Sequence, residues 1–151
     1  MTVTKGIRWH HASLTVSALD PAIDFFRAVF GFEPIFIERG LADDIAALTG
    51  VAGLAADFAQ LRSDAHPLIL ELIAFHQHGE PQPAADPTPA RPGSGHVAFH
   101  VDDFDGIVER VLAAGGSVLG RAIEFPGGRS IYCRAPGGAF LEIEQLQEPD
   151  S

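Results

Sequence analysis

The 151-residue sequence is almost without cysteine: Cys133 is its single thiol. One cysteine cannot form an internal disulfide and has no second thiolate with which to bind zinc. A disulfide scaffold and a cysteine zinc ribbon are therefore both excluded. We expect Cys133 to be a buried, unreactive side chain.

Long apolar runs are also missing, and basic residues are few. No apolar stretch approaches the roughly 18 residues that cross a bilayer, and residues 1–8 are polar, without the apolar core of a signal peptide. Ten Lys and Arg against 20 Asp and Glu give a formal net charge of −10, which opposes binding to nucleic acid or to an anionic membrane. These absences predict a cytoplasmic protein whose partner is a small molecule.

Proline, in contrast, is concentrated in one place. Five of the eleven prolines lie between His76 and Gly95, a composition typical of a linker with little regular structure. We assign the linker to residues 77–94. It divides the chain into a first unit over residues 7–76 and a second over residues 95–146.

The two units repeat the same order of elements. An alternating strand starts at His11 in one and at His96 in the other, and each runs into an amphipathic helix. Asp20 is the predicted cap of the first helix, and Asp102 or Asp103 leads the second. Further strands are predicted at residues 33–38, 55–61, 68–74, 117–125, 130–134 and 139–144. The pattern indicates an α+β fold of two βαβββ modules, with residues 41–54 inserted in the first as a loop or a lid.

Strand alternation selects the candidate site residues. Leu14 and Val16 must face the helix, so His11 points to the opposite face, whereas His10 has the helix-side parity. The same test puts Glu71, His96 and Glu142 on the faces opposite their helices. Each module thus offers one histidine and one glutamate on its non-helical face.

A glutamate in an apolar strand is costly to bury unless its charge is compensated. One divalent cation would compensate both carboxylates, and two imidazoles with two carboxylates suit Zn²⁺, Ni²⁺, Co²⁺, Fe²⁺ or Mn²⁺. A lone strand His or Glu is usually an ordinary core or edge residue, but four at matching positions of a repeat favour a metal site. The predicted ligands are His11, Glu71, His96 and Glu142.

The same parity predicts the lining of a substrate pocket. Its apolar members favour a substrate with an apolar body and a chelating head. The predicted substrate-binding residues are Ser13, Thr15, Ile73, Phe75, Ala98, His100, Tyr132 and Phe140.

Several stretches together resemble the vicinal oxygen chelate superfamily: His11-x4-Val16, Phe25-Phe-x3-Phe30-Gly-Phe32, Gly95-His-Val-Ala-Phe-His-Val-Asp102 and Pro136-Gly-Gly-Ala-Phe-Leu-Glu142. The four-ligand pattern is most similar to the glyoxalase I and methylmalonyl-CoA epimerase branches. The resemblance implies cupped mixed sheets around one divalent metal per site, and a homodimer.

The resemblance also implies a reaction, a metal-dependent lyase or isomerase that moves a proton next to a chelated carbonyl. Glu142 would be the catalytic base, with Glu71 as the opposite candidate. Thr15 and Phe75 stand where glutathione-binding residues are expected in bacterial glyoxalases, and Arg134-Ala-Pro-Gly-Gly138 departs from the epimerase pattern, so neither glutathione nor CoA is indicated. The alternatives are a protein that sequesters an antibiotic or natural product, and an extradiol-type dioxygenase.

Overall fold

A computed structural model describes residues 5–84 and 88–147. The first half contains β1 (His11–Thr15), α1 (Leu19–Phe30), β2 (Glu33–Leu41), α2 (Asp43–Thr49), β3 (Leu54–Ser63), β4 (His66–Gln77) and β5 (Glu80–Pro81). The second half contains β6 (His96–His100), α3 (Phe104–Ala113), β7 (Ser117–Val118), β8 (Ile123–Phe125), β9 (Gly128–Arg134) and β10 (Phe140–Leu146).

Each half builds its own mixed sheet. The strand order is β1-β4-β3-β2 in the first, with β5 beside β4, and β6-β10-β9-β7 in the second, with β8 beside β9. The first strand of each sheet runs parallel to its neighbour, β1 to β4 and β6 to β10, and the other pairings are antiparallel. The predicted pair of βαβββ modules is confirmed.

Two details of the strand prediction were wrong. The strand expected across residues 117–125 is split into β7 and β8, which both pair with β9. Gly120 lies in the break, and a glycine inside a strand weakens it because it has no side chain to pack. The range assigned to the linker also contributes β5, which pairs with the end of β4.

The helices of both modules share one hydrophobic core. Leu14 in β1 and Phe99 in β6 are each 8% exposed and face this core. Phe30 of α1 stacks on Phe99, with ring centroids 4.0 Å apart and an interplanar angle of 18°, so the first helix packs directly against the first strand of the other module. The sheet faces that carry His11 and His96 are directed away from this core.

The start of α1 differs from the prediction. The helix begins at Leu19 with Ala18 as its N-cap, and no side chain caps it. Asp20 lies in the first turn instead, where its carboxylate accepts hydrogen bonds of 3.2 and 2.7 Å from Arg39. In the second module Asp103 caps α3 as predicted and accepts a 3.0 Å hydrogen bond from the Gly106 amide.

The described ranges contain no helix that is long and apolar enough to cross a membrane.

Candidate metal centre

The first module brings His11 and Glu71 together. Glu71 lies in β4, opposite Ser13 of β1, and the distance from His11 Nε2 to Glu71 Oε2 is 3.5 Å. Both carboxylate oxygens accept a hydrogen bond: Ser13 Oγ donates to Oε1 at 3.1 Å, and Gln60 Nε2 donates to Oε2 at 3.2 Å. Glu71 is therefore held on two sides by neutral donors.

The second module brings His96 and Glu142 together in the same way. Glu142 in β10 lies opposite Ala98 of β6, and His96 Nε2 is 3.1 Å from Glu142 Oε2. Ser130 Oγ donates to Glu142 Oε1 at 2.7 Å. Tyr132 presents an edge-to-face contact to the His96 ring, with centroids 4.9 Å apart and planes at 78°.

The two pairs occupy equivalent positions of the repeat. In each, the histidine begins the first strand, and the glutamate lies opposite the residue two positions further along that strand. The histidine side chains are 34% and 32% exposed, whereas the glutamates are 14% and 21% exposed. Each pair thus combines a shielded carboxylate with an imidazole that remains accessible to a ligand.

The geometry of each pair fits two donors of one cation. Ligand atoms at about 2.0–2.1 Å from a tetrahedral zinc are roughly 3.3 Å apart, and the observed distances are 3.5 and 3.1 Å. The four predicted ligands are nevertheless brought together as two pairs. Among residues 5–84 and 88–147, no three His, Cys, Asp or Glu side chains form a group that could hold a metal.

A groove of about 440 Å³ is lined by residues of β1 and β6, the first strands of the two modules. Ser13, Thr15, His96 and Phe140 line it, whereas His11, Glu71 and Glu142 are not among its lining residues. The turn at Gly137 and Gly138, with φ values of 90° and 100°, forms part of its wall.

Comparison with known proteins identifies the family. The model of the Glyoxalase/Bleomycin resistance protein/Dioxygenase superfamily matches residues 8–143, nearly the whole chain. The chain belongs to this superfamily.

Relatives place the chain among diverse superfamily members. It is 29% identical over 153 aligned positions to a 2-epi-5-epi-valiolone epimerase from Actinomyces sp, covering 95% of this chain and 82% of the relative. A glyoxalase family protein from Bacillus cereus has a similar fold, with a TM-score of 0.75, 23% identity and coverage of 98% and 99% of the two chains. So does the fosfomycin resistance protein FosX of Listeria monocytogenes, solved with Mn(II) and sulfate, with a TM-score of 0.60, 19% identity and coverage of 96% and 95%.

The remaining predicted pocket residues of this superfamily member lie in different environments. Ile73 and Phe75 are half-buried beside Glu71 on β4, and Ala98 is exposed on β6. Phe140 is 5% exposed, with the Arg134 guanidinium 5.2 Å from its ring centroid. His100 is exposed, and its Nδ1 accepts a 3.2 Å hydrogen bond from the Leu146 amide.

Sequence reasoning missed two polar residues that support the glutamates, Gln60 and Ser130. Their positions depend on how β3 pairs with β4 and how β9 pairs with β10. A strand's own alternation gives the face of a residue but not its cross-strand neighbour. Once Glu71 and Glu142 are placed, the signal for both residues is a polar side chain on the neighbouring strand of an otherwise apolar face.

Proposed function

We propose that this protein is a metal-dependent isomerase or lyase that transfers a proton next to a chelated carbonyl of a small, partly apolar substrate. The observation that carries the proposal is the pair of one histidine and one glutamate repeated at equivalent positions of both modules. A repeat that preserves two imidazole-carboxylate pairs, each with a distance suited to one cation, supports binding of a divalent metal.

The residues that would hold the cation are His11, Glu71, His96 and Glu142. A four-ligand centre requires the face of a first module to meet the face of a second module, and within one chain the pairs lie on separate sheets. We therefore propose a homodimer in which the first module of one chain faces the second module of its partner. When bound, Ni²⁺, Co²⁺, Zn²⁺, Fe²⁺ or Mn²⁺ would act as a Lewis acid toward adjacent substrate oxygens and stabilise the charge left by a departing proton.

Glu142 is the better candidate for the base that removes this proton. A base must approach the substrate carbon and move away with the proton. Apart from the contact with the histidine of its own pair, Glu142 accepts one hydrogen bond, from the Ser130 hydroxyl, whereas Glu71 accepts one on each oxygen, from Ser13 and from Gln60. Glu71 is thus the more restrained carboxylate, suited to staying in place and to acting on the opposite side of the substrate.

The two sheet faces would present different walls to the substrate. Beyond Glu71, the first module adds Phe58, Ile73 and Phe75, all half-buried and apolar. Beyond Glu142, the second module has Ser130, Glu144 and Leu146 at the three matching positions, and two of these are polar. A substrate between them would place an apolar side on the first wall and hydroxyl groups on the second.

The relative's name supports the isomerase branch of the proposal. An epimerase inverts one carbon centre, and removal and return of a proton at a carbon next to a carbonyl is a direct route to that inversion. Its name also supplies a first probe, 2-epi-5-epi-valiolone.

The test is exchange of solvent deuterium. Protein loaded with Co²⁺ or Mn²⁺ is incubated in D₂O with 2-epi-5-epi-valiolone and a panel of simpler α-hydroxyketones, and deuterium at the exchanging carbon is followed by NMR. Glu142→Gln keeps an oxygen near the cation but cannot accept the proton, so exchange should fall by about 10²–10⁴-fold. Glu109→Gln, on the exposed face of α3, is the control and should not change the rate.

Sequestration of a ligand is the second candidate, and the apolar wall of the first module favours it. Tight binding of an aromatic compound by the metal-loaded protein, with no exchange in any member of the panel, would replace the enzyme proposal. Loss of exchange on Glu71→Gln but not on Glu142→Gln would reverse the assignment of the base.

A further inference from the structure

The two modules differ at the residue that precedes each predicted histidine ligand. In the second module this residue is Gly95, whereas in the first it is a second histidine, His10. His10 lies just before β1, so its side chain does not have to follow the alternation of the strand, and it contacts His11. The two Nδ1 atoms are 2.8 Å apart, and the rings meet edge to face at 83° with centroids 5.1 Å apart.

This contact restricts where the proton of each ring resides. Two neutral imidazoles can share a hydrogen bond between their Nδ1 atoms when one nitrogen donates and the other accepts. The opposite side of His11, Nε2, is 3.5 Å from Glu71 Oε2, which is beyond the usual length of an N–H···O bond. The short contact to His10 is therefore the better place for the His11 proton.

We propose that His10 is a positioning residue that accepts the Nδ1 proton of His11 and so leaves the Nε2 lone pair of His11 free for a cation. Histidines that bind metals commonly donate a hydrogen bond from the N–H of the other ring nitrogen to a fixed acceptor, which sets both the tautomer and the orientation of the ring. In this protein the acceptor is another imidazole, from the adjacent residue. The inference rests on the proposed metal site and adds a residue outside it.

His96 has a different arrangement. Its Nε2 is 3.1 Å from Glu142 Oε2, a distance at which an N–H···O bond forms. Within residues 5–84 and 88–147, no side chain hydrogen-bonds to its Nδ1, and the ring is contacted by Tyr132 instead. In the first module, Nε2 of His11 is thus free to bind a cation. In the second module, a proton on Nε2 of His96 has to move to Nδ1 before Nε2 can bind one.

The test uses two substitutions of His10. Asn keeps an oxygen acceptor close to where Nδ1 stands, whereas Phe keeps the ring but removes the acceptor. At pH 8, above the usual histidine pKa of about 6.5, ¹⁵N NMR of the metal-free protein reports the tautomer of His11, with its signals assigned by comparison with His11→Gln. We expect the Nδ1–H form in the wild type and in His10→Asn, and loss of that preference in His10→Phe.

Metal affinity provides the second measurement. In a Co²⁺ titration His10→Phe should bind about 10–100-fold more weakly than the wild type, and His10→Asn should stay within a few-fold of it. Thermal unfolding checks that each variant is folded. A wild-type His11 protonated on Nε2, or equal Co²⁺ affinity in His10→Phe and the wild type, would overturn the inference.

The proposed function can fail separately. A wild-type protein that binds no Co²⁺ at all would remove the metal proposal, and the NMR measurement would still decide the tautomer. If Glu71→Ala abolishes Co²⁺ binding while His10→Phe leaves it unchanged, the metal site stands and the role of His10 falls.

Discussion

The two modules build the same donor pair and surround it differently. Their first strands share one pattern of exposure, with a histidine at the first position and a buried apolar residue at the fourth. The equivalent glutamates are then supported from different strands: Ser13 of β1 and Gln60 of β3 bind Glu71, whereas Ser130 of β9 binds Glu142. Gln60 lies directly opposite Glu71 on the neighbouring strand, and the residue in the same position opposite Glu142 is Tyr132.

This difference indicates that the two glutamates have different roles. The repeat keeps the imidazole and the carboxylate, which are the groups a cation needs, and varies the groups that decide how each carboxylate moves. The first module fixes its glutamate and surrounds it with apolar side chains. In the second, one hydroxyl besides His96 holds the glutamate, and Glu144 stands where the first module has Ile73. In the proposed reaction, the less restrained Glu142 is the carboxylate that moves with the proton.

The largest effect is expected when the carboxylate of either half is removed. If the two pairs complete one centre, Glu71→Ala and Glu142→Ala should each lose nearly all bound metal, because three donors hold a divalent ion far less tightly than four. Elemental analysis of the purified variants measures this. A variant that keeps half of the wild-type metal would indicate two independent sites.

A mixed dimer separates a shared centre from one built within a chain. Co-expression of Glu71→Ala with Glu142→Ala under two affinity tags gives a dimer in which one first module and one second module are intact, on different chains. We expect one metal ion per mixed dimer if the centre is shared between chains. Sedimentation as a monomer, or a mixed dimer without metal, would contradict the shared centre.

A smaller effect is expected from the two serine hydroxyls. Ser130→Ala leaves Glu142 with no hydrogen bond besides the one to His96, whereas after Ser13→Ala the Gln60 amide still binds Glu71. A hydrogen bond to a charged group contributes roughly 1.5–3 kcal/mol, so deuterium exchange should fall about tenfold or more in Ser130→Ala and only a few-fold in Ser13→Ala. Equal losses would show that the two carboxylates are held alike.

Much of the fold could be predicted because it depends on local patterns. Alternation in β1 and β6 identifies the face of His11 and of His96, and the repeat of strand and helix predicts both modules. The cap of α1 could not be predicted in this way. Aspartate is a common N-cap residue, but Arg39 on β2 binds the carboxylate of Asp20. Because Arg39 is 19 residues away, the sequence around Asp20 does not reveal this contact.

The surroundings of the site were hidden for the same reason. The contacts of Gln60, Ser130 and His100 all run between strands, and they follow from registers that one sequence does not display. The contact between His10 and His11 is local, but it arises because His10 stands outside β1. Strict alternation assigned His10 to the helix side and so excluded it from the site.

The smallest effect on the candidate site is expected from the core, where Cys133 of β9 occupies the place of Leu61 of β3. Cys133 pairs with Leu141 of β10 and Leu61 pairs with Leu70 of β4, and Cys133 and Leu61 are both fully buried. Burial raises the pKa of the Cys133 thiol from its usual value near 9 to about 11, because the thiolate would lose its hydration. Between these values the folded protein keeps a proton that the unfolded chain releases.

The stabilisation from the neutral thiol is therefore complete below pH 9 and is lost as the pH rises toward and beyond 11. We expect the free energy of unfolding of the wild type to fall by roughly 2 kcal/mol more than that of Cys133→Ala between pH 8 and pH 11. Urea unfolding at matched pH values measures the difference, in which the titration of all other groups cancels. Two results would show that Cys133 is less well buried than Leu61. One is an equal pH dependence of the unfolding free energy in the two proteins, and the other is rapid labelling of Cys133 by a thiol reagent in the folded state.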